Sequence, residues 1–104
     1  LTMAKILHNM PKVFKADRAA GGDADIQFRF TGEEPGAYVL SVRNGQASIA
    51  DGEIPNAAAT IDAPSEVWKS VALGQTNAMT AFMTGKFKAT GDMGLLMRLP
   101  TMFG

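Results

Sequence analysis

The sequence predicts an α+β domain: a mostly antiparallel five-stranded sheet with helices gathered over one face. Three observations carry that expectation. Residues 25–30 and 38–42 alternate apolar and polar side chains, the period of strands with one wet face. Asn44-Gly45, the dipeptide best suited to a two-residue hairpin, follows directly. Helical spacing takes over before residue 21 and again after residue 64.

In chain order, Ile6, Leu7, Met10, Val13 and Phe14 recur at the spacings of a buried helical stripe. Pro11 lies inside that stripe without a backbone donor, so two short helical pieces are expected. Lys5, Lys12, Lys15 and Arg18 ride on the outside. A solvated face explains them, with docking on an anionic membrane as the alternative. Gly21-Gly22 ends the segment.

Ile26, Phe28 and Phe30 then face one way, and Gln27 and Arg29 the other. After the turn residues 32–36, Tyr38, Leu40 and Val42 repeat the pattern against Val39, Ser41 and Arg43. Asn44-Gly45 leads into a third strand carrying Ala47 and Ile49, and Asp51-Gly52 ends it. Ala57, Ala59 and Ile61 suggest a fourth strand whose small side chains either widen an interior gap or admit a helix closely. Pro64 suits the first turn of a helix with Val67, Trp68, Val71 and Ala72 on its apolar face, stopped by Gly74.

The stretch from Ala78 to Leu99 is the densest in signals. Met79, Phe82 and Met83 share a helical face, and Gly85 stands where a left-handed stop is needed. Residues 86–90 alternate as a last strand, and Gly91 turns the chain. Asp92 is placed to cap a helix carrying Met93, Leu96, Met97 and Leu99, which Pro100 should break.

A chain of 104 residues supports one domain, 1–104, around one core. Ten basic and ten acidic residues cancel, so no global field draws it to nucleic acid. The absence of cysteine excludes disulfides and thiolate metal sites and fits a reducing compartment. No apolar run reaches the ~18 residues of a membrane span. The opening residues do not resemble a secretory leader, and Met102-Phe103-Gly104 is not a peroxisomal address, so a cytoplasmic protein is expected.

Catalysis should leave a constellation, and none is visible. His8 is the single histidine and sits in the N-terminal helical stretch. Asp51, Glu53, Asp62 and Asp92 belong to turns and caps. No glycine-rich phosphate loop opens a helix after a strand, and the serines have no partner base. Neither an enzyme nor a bound cofactor or metal is expected. Seven methionines are many for this length, and Met79, Met83, Met93, Met97 and Met102 fall in the last quarter. Flexible, polarizable side chains suit a surface that must accept varied apolar shapes, although by pattern alone they also suit an ordinary core.

The ordered series Ala81-Phe82-Met83-Thr84-Gly85, Lys86-Phe87-Lys88 and Gly91-Asp92-Met93 resembles the sterol carrier protein type two domain, a small lipid-binding module. The likeness covers roughly Pro11 to Leu99. It implies non-catalytic binding or transfer of a fatty acid, acyl-CoA, phospholipid, sterol or isoprenoid in a tunnel between sheet and helices. Carried over by position, the walls are Phe28, Phe30, Leu40 and Val42 from the sheet, with Phe87 on the last strand. Trp68, Met79, Phe82 and Met83 would come from the middle helices, and Met93, Leu96, Met97 and Leu99 would close the end. Trp68 as a plain core anchor is an equal alternative. Lys86, Lys88 and Arg98 would meet an anionic head group or remain solvated.

The resemblance also leaves a second reading, an accessory module that presents hydrophobic intermediates such as ubiquinone precursors to enzymes, with transient membrane or enzyme contact. A pocket of ~300 Å³ left dry and rigid would cost ~7 kcal/mol at ~24 cal/mol per Å³. Whole-domain stability is only ~5–15 kcal/mol. The pocket is therefore expected to be filled by lipid or partly collapsed through movement of the last helix.

Overall fold

The computed structural model describes residues 2–13 and 23–103, with side chains described up to residue 98. Phe14, Lys15, Arg18 and Gly21-Gly22 lie outside the described residues. The chain runs α1 (Met3–Asn9), a 3-10 turn (Met10–Val13), β1 (Ala24–Thr31), β2 (Gly36–Arg43), β3 (Gln46–Asp51) and β4 (Ala59–Pro64). It continues through α2 (Ser65–Ala72), α3 (Ala78–Met83), β5 (Lys88–Gly91) and α4 (Met93–Phe103). The expected split of the first helix occurs immediately before Pro11.

The five strands form one sheet in the order β3-β2-β1-β4-β5. Three of its pairings are antiparallel, and β1 pairs with β4 in parallel, Phe28 opposite Ile61. The sheet is thus mixed. A pairing between strands so far apart in sequence leaves no local turn signal, whereas the β2–β3 hairpin does. At that hairpin Asn44 and Gly45 have φ of 53° and 76°, as the sharp turn requires.

One sheet face packs against the helices. Ile26, Phe28, Phe30, Leu40, Ile61 and Ala63 join Met3, Leu7, Trp68, Ala81, Phe87 and Leu95 in one buried cluster. The other face is charged. Arg29 pairs with Glu53 at 2.8 Å and lies 3.9 Å from Asp62, while Arg43 meets Asp25 at 2.8 Å. Gln27 departs from its expected solvent exposure, being only 1% accessible. Its Nε2 donates to the carbonyls of Phe28, Tyr38 and Gly52, and its Oε1 accepts from Ile54 N–H at 2.9 Å. A long amide can satisfy the backbone of an adjoining loop and be buried beneath it, which alternation alone does not reveal.

Several boundaries also differ from expectation. Pro64 is the last residue of β4 and the N-cap of α2, with extended ψ of 139°, instead of a first-turn residue. β4 starts at Ala59 and β5 at Lys88, each later than the alternation suggested. The small residues Ala58 and Ala59 admit the backbone of β5 rather than a helix. A Cβ on Gly91 (φ 97°) would lie 2.8 Å from Ala59 Cα, and Asp92 N–H donates to Ala58 O at 2.9 Å. Asp92 then caps α4 through its Oδ1, which accepts from Leu95 N–H at 3.0 Å. α4 continues past Pro100 to Phe103. Proline removes one backbone donor but keeps a helix-compatible φ, so the expected break is not obligatory.

Candidate functional site

A cleft of about 800 Å³ opens between the helices and one end of the sheet. The sheet lends it only Ile61 of β4 and Ala89 of β5. Ile6, Asn9, Met10 and Val13 from α1 and the turn after it form one wall. Trp68, Val71 and Ala72 of α2 form a second, continued by residues 73–74 and 76–77 of the following link and by Ala78, which opens α3. Met79 and Phe82 of α3, Phe87 before β5, and Met93, Leu96 and Met97 of α4 complete it.

Aromatic packing stiffens the floor. Trp68 stands 5.4 Å from Phe28 and 5.7 Å from Phe87, edge to face with the latter, and Phe82 lies 5.7 Å from Phe87. Trp68 is therefore both a core anchor and a cleft wall, the two roles that the sequence left open. Phe28, Phe30, Leu40 and Val42 do not line the cleft among the described residues. They are buried in the sheet interior, Phe28 and Phe30 stacked at 5.9 Å beneath Trp68. Their strands lie on the far side of β4, away from the cleft end of the sheet.

The helix assignments shift as well. Met83 is 77% exposed and not a lining residue, while Ala81 holds the buried position on α3. On α4 the buried residue is Leu95, outside the stripe expected from sequence, and this turns Met93 and Met97 toward the mouth. The side chain of Leu99 lies outside those described. Sequence reasoning missed the α1 wall because the stripe of Ile6, Met10 and Val13 is equally a core pattern. It missed Thr76 and Asn77 because nothing in a polar link marks it as lining.

The mouth is wet and apolar together. Val13, Leu73 and Met97 are 52%, 48% and 59% exposed. An enclosed dry gap of this volume would cost ~19 kcal/mol at ~24 cal/mol per Å³, beyond the ~5–15 kcal/mol stability of a domain. An open mouth lets solvent or a guest fill the space, so the expected collapse is not required. Among the described residues, Asn9, Thr76 and Asn77 are the polar ones of the lining, apart from the Trp68 indole, and no charged side chain borders it. Asn77 Oδ1 is engaged in accepting from Thr80 N–H at 3.0 Å to cap α3.

The α1 wall is fastened by carboxylates at both ends. Glu34 accepts from Met3 N–H at 3.0 Å and from Lys69 Nζ. The Lys69 contact, and then that of Met3, hold the Glu34 carboxyl below its ordinary range. His8 Nε2 meets Asp51 Oδ1 at 2.9 Å, and its ring stands edge-on to Tyr38. Burial, then the nearby Asp51 and Glu34 charges, push the Tyr38 hydroxyl up. Among the described residues no group of three His, Asp or Glu side chains could hold a metal ion. No described helix is long and apolar enough to cross a membrane.

The architecture is thus an α+β sheet with an apolar cleft bordered by its late helices. Residues 5–104 match the model of the SCP-2 sterol transfer family, and the chain belongs to that family. It is 34% identical over 80 residues to hydroxysteroid dehydrogenase-like protein 2 of Xenopus tropicalis, covering 75% of this chain and 19% of that protein. The chain therefore spans about a fifth of that relative's length. The fold is similar to part of the sec-alkylsulfatase Pisa1 from Pseudomonas sp., with TM-score 0.84 and 22% identity over 99% of this chain and 16% of that one. It is also similar to palmitated SCP2L2 from Aedes aegypti, with TM-score 0.78 and 13% identity over 97% and 93% of the two chains.

Proposed function

We propose that the cleft binds the hydrocarbon part of a lipid-like ligand and holds or hands on that ligand without covalent chemistry. The candidates are a fatty acid, acyl-CoA, phospholipid, sterol or isoprenoid. The observation that carries this reading is the cleft itself: about 800 Å³, open at the mouth and, among the described residues, bordered by no charged side chain. Each methylene moved from water into such a lining contributes ~0.8 kcal/mol, so affinity should climb with chain length. Membership of a family named for sterol transfer supports the reading, as does a similarly folded protein described as palmitated.

Trp68 is the single tryptophan and borders the cleft, which supplies the test. Titration with a series of brominated acyl chains should quench its fluorescence, with affinity rising as the chain lengthens. Saturable quenching that ignores chain length, or none at all, would count against the proposal. Denaturing extraction and mass spectrometry of the purified protein would identify a ligand carried from the cell.

The exposed side chains of Val13, Leu73 and Met97 at the mouth favour a second reading, an accessory module that presents a hydrophobic intermediate to an enzyme. A partner captured by this protein, and lost on substituting Met97, would favour presentation over simple carriage.

A further inference from the structure

We infer that a depression beside the cleft, bordered by one acidic and one basic side chain, is a head-group subsite for an amphiphile whose head carries both a positive and a negative charge. The inference rests on the reading of the cleft as a lipid site. The depression measures about 260 Å³ and is lined by Glu66, Val67, Ser70, Thr76 and Lys86. Thr76 lines the apolar cleft as well. Sequence neighbours are divided between the two spaces. Val67, Ser70 and Lys86 border the depression, whereas Trp68, Val71 and Phe87 border the cleft. Neighbours along α2 and before β5 thus border different spaces, and Thr76 lines both.

Among the described residues the cleft offers a charged head nothing. Its polar side chains are neutral, and moving a charge onto an apolar lining carries a large desolvation penalty. A head must therefore stay in bulk water or reach past Thr76. The depression supplies what the cleft lacks. Lys86 forms no ion pair among the described residues, and neither does Glu66. Glu66 Oε2 accepts from Ser65 Oγ at 3.2 Å and keeps acceptor capacity. Ser70 Oγ donates to the Glu66 carbonyl at 3.1 Å, so its lone pairs are available to a donor. Of the three late basic residues Lys86, Lys88 and Arg98, only Lys86 borders the depression.

The pairing of signs sets the preference. A purely anionic head gains Lys86 but meets the Glu66 carboxylate. A neutral hydroxyl gains neither charge. A zwitterionic head places its anionic oxygen toward Lys86 and its cationic group toward Glu66, so both protein charges acquire a partner. Because the depression is open, the gain is that of partly exposed ion pairs and shows as selectivity more than as raw affinity.

The test uses the full chain and three amphiphiles of equal chain length: lysophosphatidylcholine, palmitate and hexadecanol, each below its aggregation concentration. Lys86→Gln should weaken lysophosphatidylcholine and palmitate about fivefold, the scale of an exposed charge contact, and leave hexadecanol unchanged. Glu66→Gln should weaken lysophosphatidylcholine but tighten palmitate. Ser70→Ala, at a residue that borders the depression and not the cleft, provides a third variant that keeps both charges, and it should weaken lysophosphatidylcholine while sparing hexadecanol. Circular dichroism and thermal melting identify any variant that fails to fold, and the remaining two then decide. Hexadecanol binding with charged-head affinities unmoved by these variants would overturn the subsite and leave the lipid reading standing. Failure of all three amphiphiles to bind wild-type protein would overturn the lipid reading and the subsite with it.

Discussion

Glu34 accepts a hydrogen bond from the Met3 backbone N–H at 3.0 Å, so the β1–β2 turn holds the first residue of α1. That N–H has no partner within the helix, and a carboxylate at a helix N-terminus also opposes its dipole favourably. The same carboxylate accepts from Lys69 of α2, tying two walls of the cleft to one turn. Folding lowers the Glu34 pKa below its ordinary value of 4.5, first through Lys69 and then through Met3. The stability it lends is therefore fully present above that value and lost as pH falls through the lower folded one. Glu34→Gln, which can still accept from Met3 but not pair with Lys69, should melt a few degrees lower than wild type at pH 7. The gap should close in acid. A difference that persists unchanged to pH 2 would show that charge is not its cause.

Gly91→Ala should be among the most damaging single-methyl additions. The residue combines a φ of 97° with a Cβ position 2.8 Å from Ala59 Cα, and backbone cannot swing aside. A loss of about 3 kcal/mol is expected from left-handed strain plus overpacking. Urea unfolding would measure it. Ala replacing Gly52, whose Cβ would meet nothing within 4 Å, isolates the φ contribution, since its φ of 114° is just as unsuited to a side chain.

Gln27→Leu keeps volume but orphans the Ile54 N–H and withdraws a donor from the Phe28, Tyr38 and Gly52 carbonyls. A cost of about 2 kcal/mol follows from buried polar groups left unpaired. Hydrogen exchange should localise the damage, with the Ile54 amide exchanging faster while strand amides of the β1–β2 pair hold.

These residues mark where the sequence is legible. Local chemistry was readable: Asn44-Gly45 made its turn, Gly85 has a φ of 77° after α3, and Asp92 caps α4. Each works through atoms a few residues away. What was not readable depends on distant neighbours. The parallel β1–β4 pairing joins strands separated by two others in the chain. The rotation of α4 is fixed by Leu95 entering the core, and no periodicity separates that from a Leu96-centred face. The same ambiguity hid the α1 wall of the cleft. A stripe such as Ile6, Met10 and Val13 has one pattern whether it seals a core or borders a gap, and only its opposite wall decides.

Met97 and Met83 provide the sharpest test of that distinction, because both are exposed methionines on late helices and only one borders the cleft. Met97→Asp should leave the melting temperature nearly unchanged, since the side chain is already 59% in solvent, yet place a charge on the apolar lining. Binding of a long acyl chain should weaken about tenfold or more, because a carboxylate must then be desolvated or left beside hydrocarbon. Met83→Asp, at 77% exposure and off the lining, should alter neither melting nor binding. Equal losses in the two variants would mean that the binding surface is the general apolar exterior of α3 and α4 and not the space between them.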